Sequence, residues 1–67
     1  MADREMTMNE RAGTFVQHKT SGIKCSILFR DINGYHLKCE TDNTTFFLPF
    51  INKNQYKVIE WKNTKLN

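Results

Sequence analysis

Ile23-Lys24-Cys25-Ser26-Ile27-Leu28-Phe29-Arg30, followed by Asp31-Ile32-Asn33-Gly34 and Tyr35-His36-Leu37-Lys38-Cys39-Glu40-Thr41, is the stretch that decides the fold. In its first third Ile23, Cys25, Ile27 and Phe29 alternate with Lys24, Ser26, Leu28 and Arg30, which is the period of a half-buried strand. In its last third Leu37 and Cys39 sit between His36, Lys38 and Glu40 with the same period. The middle third supplies the turn of a hairpin. A two-residue Asn33-Gly34 turn would oppose Phe29 to Lys38 and Ile27 to Glu40, placing charges on the apolar face. A three-residue loop, Ile32-Asn33-Gly34, with Gly34 left-handed in a bulge, opposes Phe29 to Leu37 and Ile27 to Cys39 and keeps both faces consistent. In that register the outer face pairs Lys24 with Asp42, Ser26 with Glu40, Leu28 with Lys38 and Arg30 with His36. Cys25 then faces Thr41, the cysteines are diagonal at about 7–8 Å, and free thiols are predicted.

Working outward, Thr44 to Phe50 reads as a further strand, with Phe46, Leu48 and Phe50 on one face and Thr45 and Phe47 on the other. Pro49 marks an edge or a bulge. A polar cluster over residues 51–55 is followed by Tyr56 to Trp61, a closing strand with Val58 and Ile59 as β-branched bulk. The segment before the hairpin admits two readings. Asn9 to Lys19 can form a short helix capped by Asn9, or Thr14 to His18 can form a first strand, since Gly13, Thr14 and Val16 lower helical preference. The fold class expected is mainly β: a small, strongly bent antiparallel barrel of four to five strands of the SH3 or Sm-like kind, with the amino-terminal helix as an alternative element. Residues 1–10 read as a flexible lead, residues 11–61 as one domain and residues 62–67 as a polar tail.

Sixty-seven residues suffice for one small domain. A domain of this size buries only about 60% of its unfolded surface, which makes a partner subunit attractive. Ten Lys plus Arg against seven Asp plus Glu give a net charge of +3. The first ten residues carry three acids and one base, so the remainder holds nine basic and four acidic groups, +5, a balance suited to a polyanionic partner. No apolar run matches a secretory leader or a membrane span, so a cytoplasmic chain without a membrane partner is expected. Two cysteines without CxxC spacing or paired histidines are a poor metal signature, and the isolated Gly13, Gly22 and Gly34 make no phosphate loop. His18 and His36 lie on different elements, leaving no nucleophile and base pair. No catalytic residue, metal or cofactor is expected.

Binding chemistry is better supplied. Lys24, Arg30, His36 and Lys38 share the outer face of the expected hairpin, and Lys53 and Lys57 follow from the last turn and strand, a set able to hold phosphates. Phe47, Tyr56 and Trp61 are candidates for stacking on unpaired bases or for contact with a partner. The plain alternative is a solvated face with lysine stems lying along it, and aromatic residues that belong to the core. Phe46, Phe47, Leu48 and Phe50 hold more apolar surface than a thin barrel covers, which favours a homo-oligomer through the Phe46–Phe50 strand.

Two segments add a resemblance. Ile32-Asn33-Gly34-Tyr35-His36-Leu37-Lys38 resembles the Asn-Gly-aromatic-polar-Leu-basic segment of the bacterial Sm-like RNA chaperone Hfq family. Asp42-Asn43-Thr44-Thr45-Phe46-Phe47-Leu48 is similar to its Asp-Asn/Gln-Phe stretch, and Tyr56-Lys57 to the start of its Tyr-Lys-His. The resemblance covers about residues 23–59. It implies a five-stranded bent barrel after a helix at residues 9–17, ring assembly strand to strand, and single-stranded RNA on the ring faces, with Asn43 and Lys57 at base-contact positions. The chain departs from the pattern in being about three residues short between Asn33 and Asp42. Cys39 stands near a usual glycine, Thr44 replaces the stacking Phe, and Val58 replaces the His. The expected function is therefore non-enzymatic nucleic-acid binding, with RNA favoured over DNA. The alternative is a protein-binding adaptor or inhibitor that uses its apolar edge strand.

Overall fold

The computed structural model describes residues 4–59, so Trp61 and the tail over 62–67 lie outside the described residues. Six strands form one antiparallel sheet: β1 (Arg4–Glu5), β2 (Phe15–His18), β3 (Lys24–Arg30), β4 (Gly34–Cys39), β5 (Thr45–Pro49) and β6 (Tyr56–Ile59). A 3₁₀ helix, Phe50–Gln55, joins the last two. The spatial order is β1-β6-β2-β3-β4-β5, so β2 to β5 meander and β6 returns to the far side of β2. The mainly β class and the small size agree with expectation, with six strands where four to five were expected. The sheet is not closed into a cylinder, and β1 and β5 are its edges.

The amino-terminal helix does not form. Phe15, Val16 and Gln17 pair with Ser26, Cys25 and Lys24 of β3 and with Ile59, Val58 and Lys57 of β6. A β-branched side chain packs well on a pleated surface. Val16 is fully buried there between Cys25 and Val58, a burial that outweighs the weak helical cap at Asn9.

The central hairpin differs from expectation in register. Cys25 opposes Cys39, Ser26 opposes Lys38 and Ile27 opposes Leu37; beyond a bulge at Leu28, Phe29 opposes His36 and Arg30 opposes Tyr35. The lower half is displaced by two residues from the expected pairing, which preserves the faces. The upper half is displaced by one, which reverses them. The chain turns over Ile32-Asn33, where the Asp31 N–H donates to the Gly34 carbonyl at 2.8 Å. Asp31 Oδ1 accepts from the Asn33 and Gly34 amides at 2.7 and 3.0 Å. An aspartate closing its own turn in this way replaces the left-handed glycine that was expected. Gly34 is absent from the positive-φ residues and is needed for another reason. A Cβ there would strike the Leu48 carbonyl oxygen and lie 2.8 Å from Pro49 Cα on β5.

The core comprises Val16, Cys25, Ile27, Tyr35, Leu37, Cys39, Leu48, Tyr56 and Val58, joined by Met6. Residues 4–10, read from the sequence as a flexible lead, thus pack against this core. Arg4 and Glu5 pair with Val58 and Lys57, and Met6 is 3% exposed. What fixes this segment is the fully buried Tyr35. Its hydroxyl donates to the Thr7 carbonyl at 2.6 Å and accepts from the Glu10 amide at 2.9 Å. Glu10, also buried, receives a two-pronged contact from Arg4 at 2.8 and 2.9 Å. It also accepts from the Thr7 amide and hydroxyl at 2.9 Å each. A buried carboxylate with this many donors is satisfied as an anion. Its pKa falls from 4.5 to about 2, chiefly through the Arg4 hydrogen bonds, against the opposing effect of burial.

Two outcomes follow from these contacts. The Glu10 carboxylate has a folded pKa below its unfolded one, so its contribution is complete above about pH 4.5 and is lost as pH falls toward about 2. Denaturant titrations over that window should show the wild type losing about 3 kcal/mol more stability than Glu10→Gln, which has no proton to take up. Equal losses would contradict the anchoring role. Gly34→Ala should cost about 3 kcal/mol, the upper end of overpacking, because backbone atoms of β5 and not a flexible side chain stand in the way. A melting temperature within a degree or so of wild type would contradict that close approach.

Candidate nucleic-acid interface

Register determines which side chains share the outer face of the sheet. One row across the strands is Glu5–Lys57–Gln17–Lys24, from β1 to β3. The next is Ile59–Phe15–Ser26–Lys38–Thr45, from β6 to β5. A third, at the hairpin end, is Phe29–His36–Phe47. Lys24, Lys38, Lys57, His36 and Phe47 are therefore brought together on one face. Lys24 and Lys57 stand two strands apart, about 10 Å, and Lys38 lies diagonal to Lys24 at about 7–8 Å. Lys38 and Lys24 fall within about one Debye length at physiological salt, and Lys57, three strands from Lys38, lies within about two, so the three present a continuous basic stripe to an approaching polyanion. Two acids temper it. Glu5 ends the first row and forms an exposed ion pair with Lys19 at 2.8 Å, and Glu40 follows Cys39 beside Lys24, whose carbonyl accepts its amide at 2.9 Å.

The third row is an aromatic step. Phe29 and His36 stack with ring centroids 4.3 Å apart and planes 16° from parallel, and Phe47 leans on the other side of His36 at 5.0 Å. Phe29 is 53% exposed and Phe47 41%, so both offer ring surface to solvent. His36 Nε2 is held by Asp31 Oδ2 at 2.7 Å. That contact and the turn amides keep the Asp31 carboxyl below the usual carboxylate range. Ring and carboxylate together fix the imidazole between the two phenylalanines.

Three expected site residues lie elsewhere. Arg30 leaves the outer face because the Leu28 bulge turns it to the side of Tyr35, where its guanidinium donates to the Met8 carbonyl and to Asn9 Oδ1. Tyr56 is 9% exposed, edge-on to His18 at 4.9 Å, and its burial raises its pKa. It belongs to the core and is closed to stacking. Asn43 lies in the loop between β4 and β5 with φ of 64°, a left-handed conformation that asparagine tolerates well. That turn role accounts for it without a ligand. Trp61 lies outside the described residues. Phe29 was missed: strict alternation assigns it to the core, and only the bulge turns it outward.

Compared with family models, with curated proteins and with solved structures, the chain gives no match. The likeness to the Sm-like family thus rests on the residues quoted for it. Among the described residues no helix is long and apolar enough to cross a membrane, and no three His, Cys, Asp or Glu side chains gather as a metal site would require.

Proposed function

We propose that the protein is a non-enzymatic nucleic-acid-binding module that takes single-stranded RNA on its outer sheet face. The observation that carries this reading is the coincidence of Lys24, Lys38 and Lys57 with the exposed Phe29–His36–Phe47 step on one surface. Lysines hold a backbone without reading sequence, and exposed rings stack on unpaired bases, which a duplex keeps covered. The resemblance of Asn33 to Lys38 to the Sm-like segment favours RNA over DNA. We read the curled sheet as an SH3/Sm-like barrel left open along one seam. Support for that architecture comes from Phe46 of β5, whose ring lies 6.4 Å from Tyr56 of β6 although the two strands are not paired.

A second reading has its own observation. β5 is a sheet edge, and Phe46 and Phe47 on it are 36% and 41% exposed. An edge of this kind accepts a strand from a second copy of the chain or from another protein, as an adaptor or inhibitor would.

Fluorescence anisotropy of a labelled single-stranded oligouridylate distinguishes them. Three phosphate contacts give a salt slope of about −2, so affinity should fall about 20-fold between 50 and 200 mM salt. Lys24→Glu with Lys38→Glu should abolish binding. Phe47→Ala should weaken it by about 1–3 kcal/mol, whereas Tyr56→Phe should leave it unchanged. No binding at low salt, or binding indifferent to salt and to the lysine reversals, would overturn the RNA reading and leave the β5 edge as the working surface.

A further inference from the structure

Cys25 and Cys39 face each other across β3 and β4, at the directly opposed position of the register and not on a diagonal. Their placement within the ladder is of one particular type. The Glu40 amide donates to the Lys24 carbonyl at 2.9 Å, bridging the residue after Cys39 to the residue before Cys25. This is the pattern around a non-hydrogen-bonded pair, in which opposed Cα atoms approach to about 4.5 Å and side chains come closest. Disulfides span Cα separations of about 4.4–6.8 Å, so this pair is inside the range at its short end. Both cysteines are free, and Cys39 acts on the Cys25 thiol as a hydrogen-bond partner.

We infer that Cys25 and Cys39 are a modification site: a cross-strand dithiol that a small-molecule disulfide of the glutathione class converts reversibly to an intramolecular disulfide. Cys39 makes the first attack. It is 9% exposed against 1% for Cys25, and it ends β4 beside the loop over residues 40–44. The Cys25 thiol is pushed up to about 11, first by burial, which disfavours it as the initial nucleophile. The Cys39 thiolate attacks one sulfur of the reagent and expels one small thiolate, giving a mixed disulfide. Cys25, on losing its proton, then attacks Cys39 Sγ and expels the second small thiolate. The protein loses two electrons and two protons, and the reagent gains both as two thiols. The second step needs no rearrangement of the strands, because the register already opposes the sulfurs. The exchange is reversible, so excess dithiol restores the starting state. Lys24 and Lys38 are the chain neighbours of the two cysteines, so the bridge pins the spacing of those lysines on the outer face.

The test uses the full chain with oxidised glutathione, quenched in acid, unfolded, alkylated and weighed. The expected product is a monomer lighter by two hydrogens that takes up no alkyl group and regains both alkylation sites after dithiothreitol. Cleavage after Lys and Arg should release the peptide 25–30 joined to the peptide 39–53. A mixed disulfide that persists on one cysteine, a disulfide-linked dimer, or a folded chain that keeps two alkylatable thiols would each overturn the inference.

Discussion

At Leu28 the third strand carries one residue more than its partner, and the two faces of the hairpin on either side of that point depend on it. Below the bulge, Cys25 and Ile27 meet Cys39 and Leu37 in the core, and Ser26 and Lys24 face outward. Above it the parity reverses. Phe29 emerges beside His36, and Arg30 passes to the side that holds Tyr35. A bulge also strengthens local twist, which suits a sheet that must curl around a core of about ten side chains. Without the extra residue, Phe29 would compete with Tyr35 for the interior and the aromatic step on the outer face would not exist.

The other end of the core is closed by polar contacts. Tyr35 reaches through the sheet end to Thr7 and Glu10, and Glu10 gathers Arg4 and Thr7. Arg30, turned by the bulge to the side of Tyr35 and still exposed, donates to Met8 and Asn9 of the same segment. A single irregularity in β3 therefore both exposes a ring on one face and supplies a guanidinium that holds the amino-terminal segment against the other. In so small a domain such devices substitute for the apolar area that a larger core would bury.

Much of this was legible in the sequence. Alternation located β3, β4 and β5 to within a residue or two, and the inward set Cys25, Ile27, Leu37, Cys39 and Leu48 was evident from period alone. Lys24, Lys38 and His36 were assigned to a common face by the same argument. What alternation cannot contain is an inserted residue, because Leu28 and Phe29 are both apolar and fit either face. Arg30 and Phe29 were misassigned for that reason. The turn was misjudged because unbroken alternation in β3 required a three-residue loop with a left-handed Gly34, whereas here Asp31 closes the loop and Gly34 serves the close approach of β5. Residues 1–10 read as a flexible lead because they show no apolar period. Their value appears only when Glu10 and Arg4 are brought to Tyr35, which stands 25 positions after Glu10 in the chain.

The proposed RNA surface and the inferred thiol pair are separate readings, yet both stand on the register of β3 against β4. Nuclear Overhauser spectroscopy of the folded protein tests that register most directly, since α-protons of a non-hydrogen-bonded antiparallel pair lie close together. The bulged register predicts a strong cross-peak between the α-protons of Cys25 and Cys39, together with ring contacts from Phe29 to His36. Cross-peaks that instead join Cys25 to Thr41 and Phe29 to Leu37 would show a β3 without the bulge at Leu28 and contradict it.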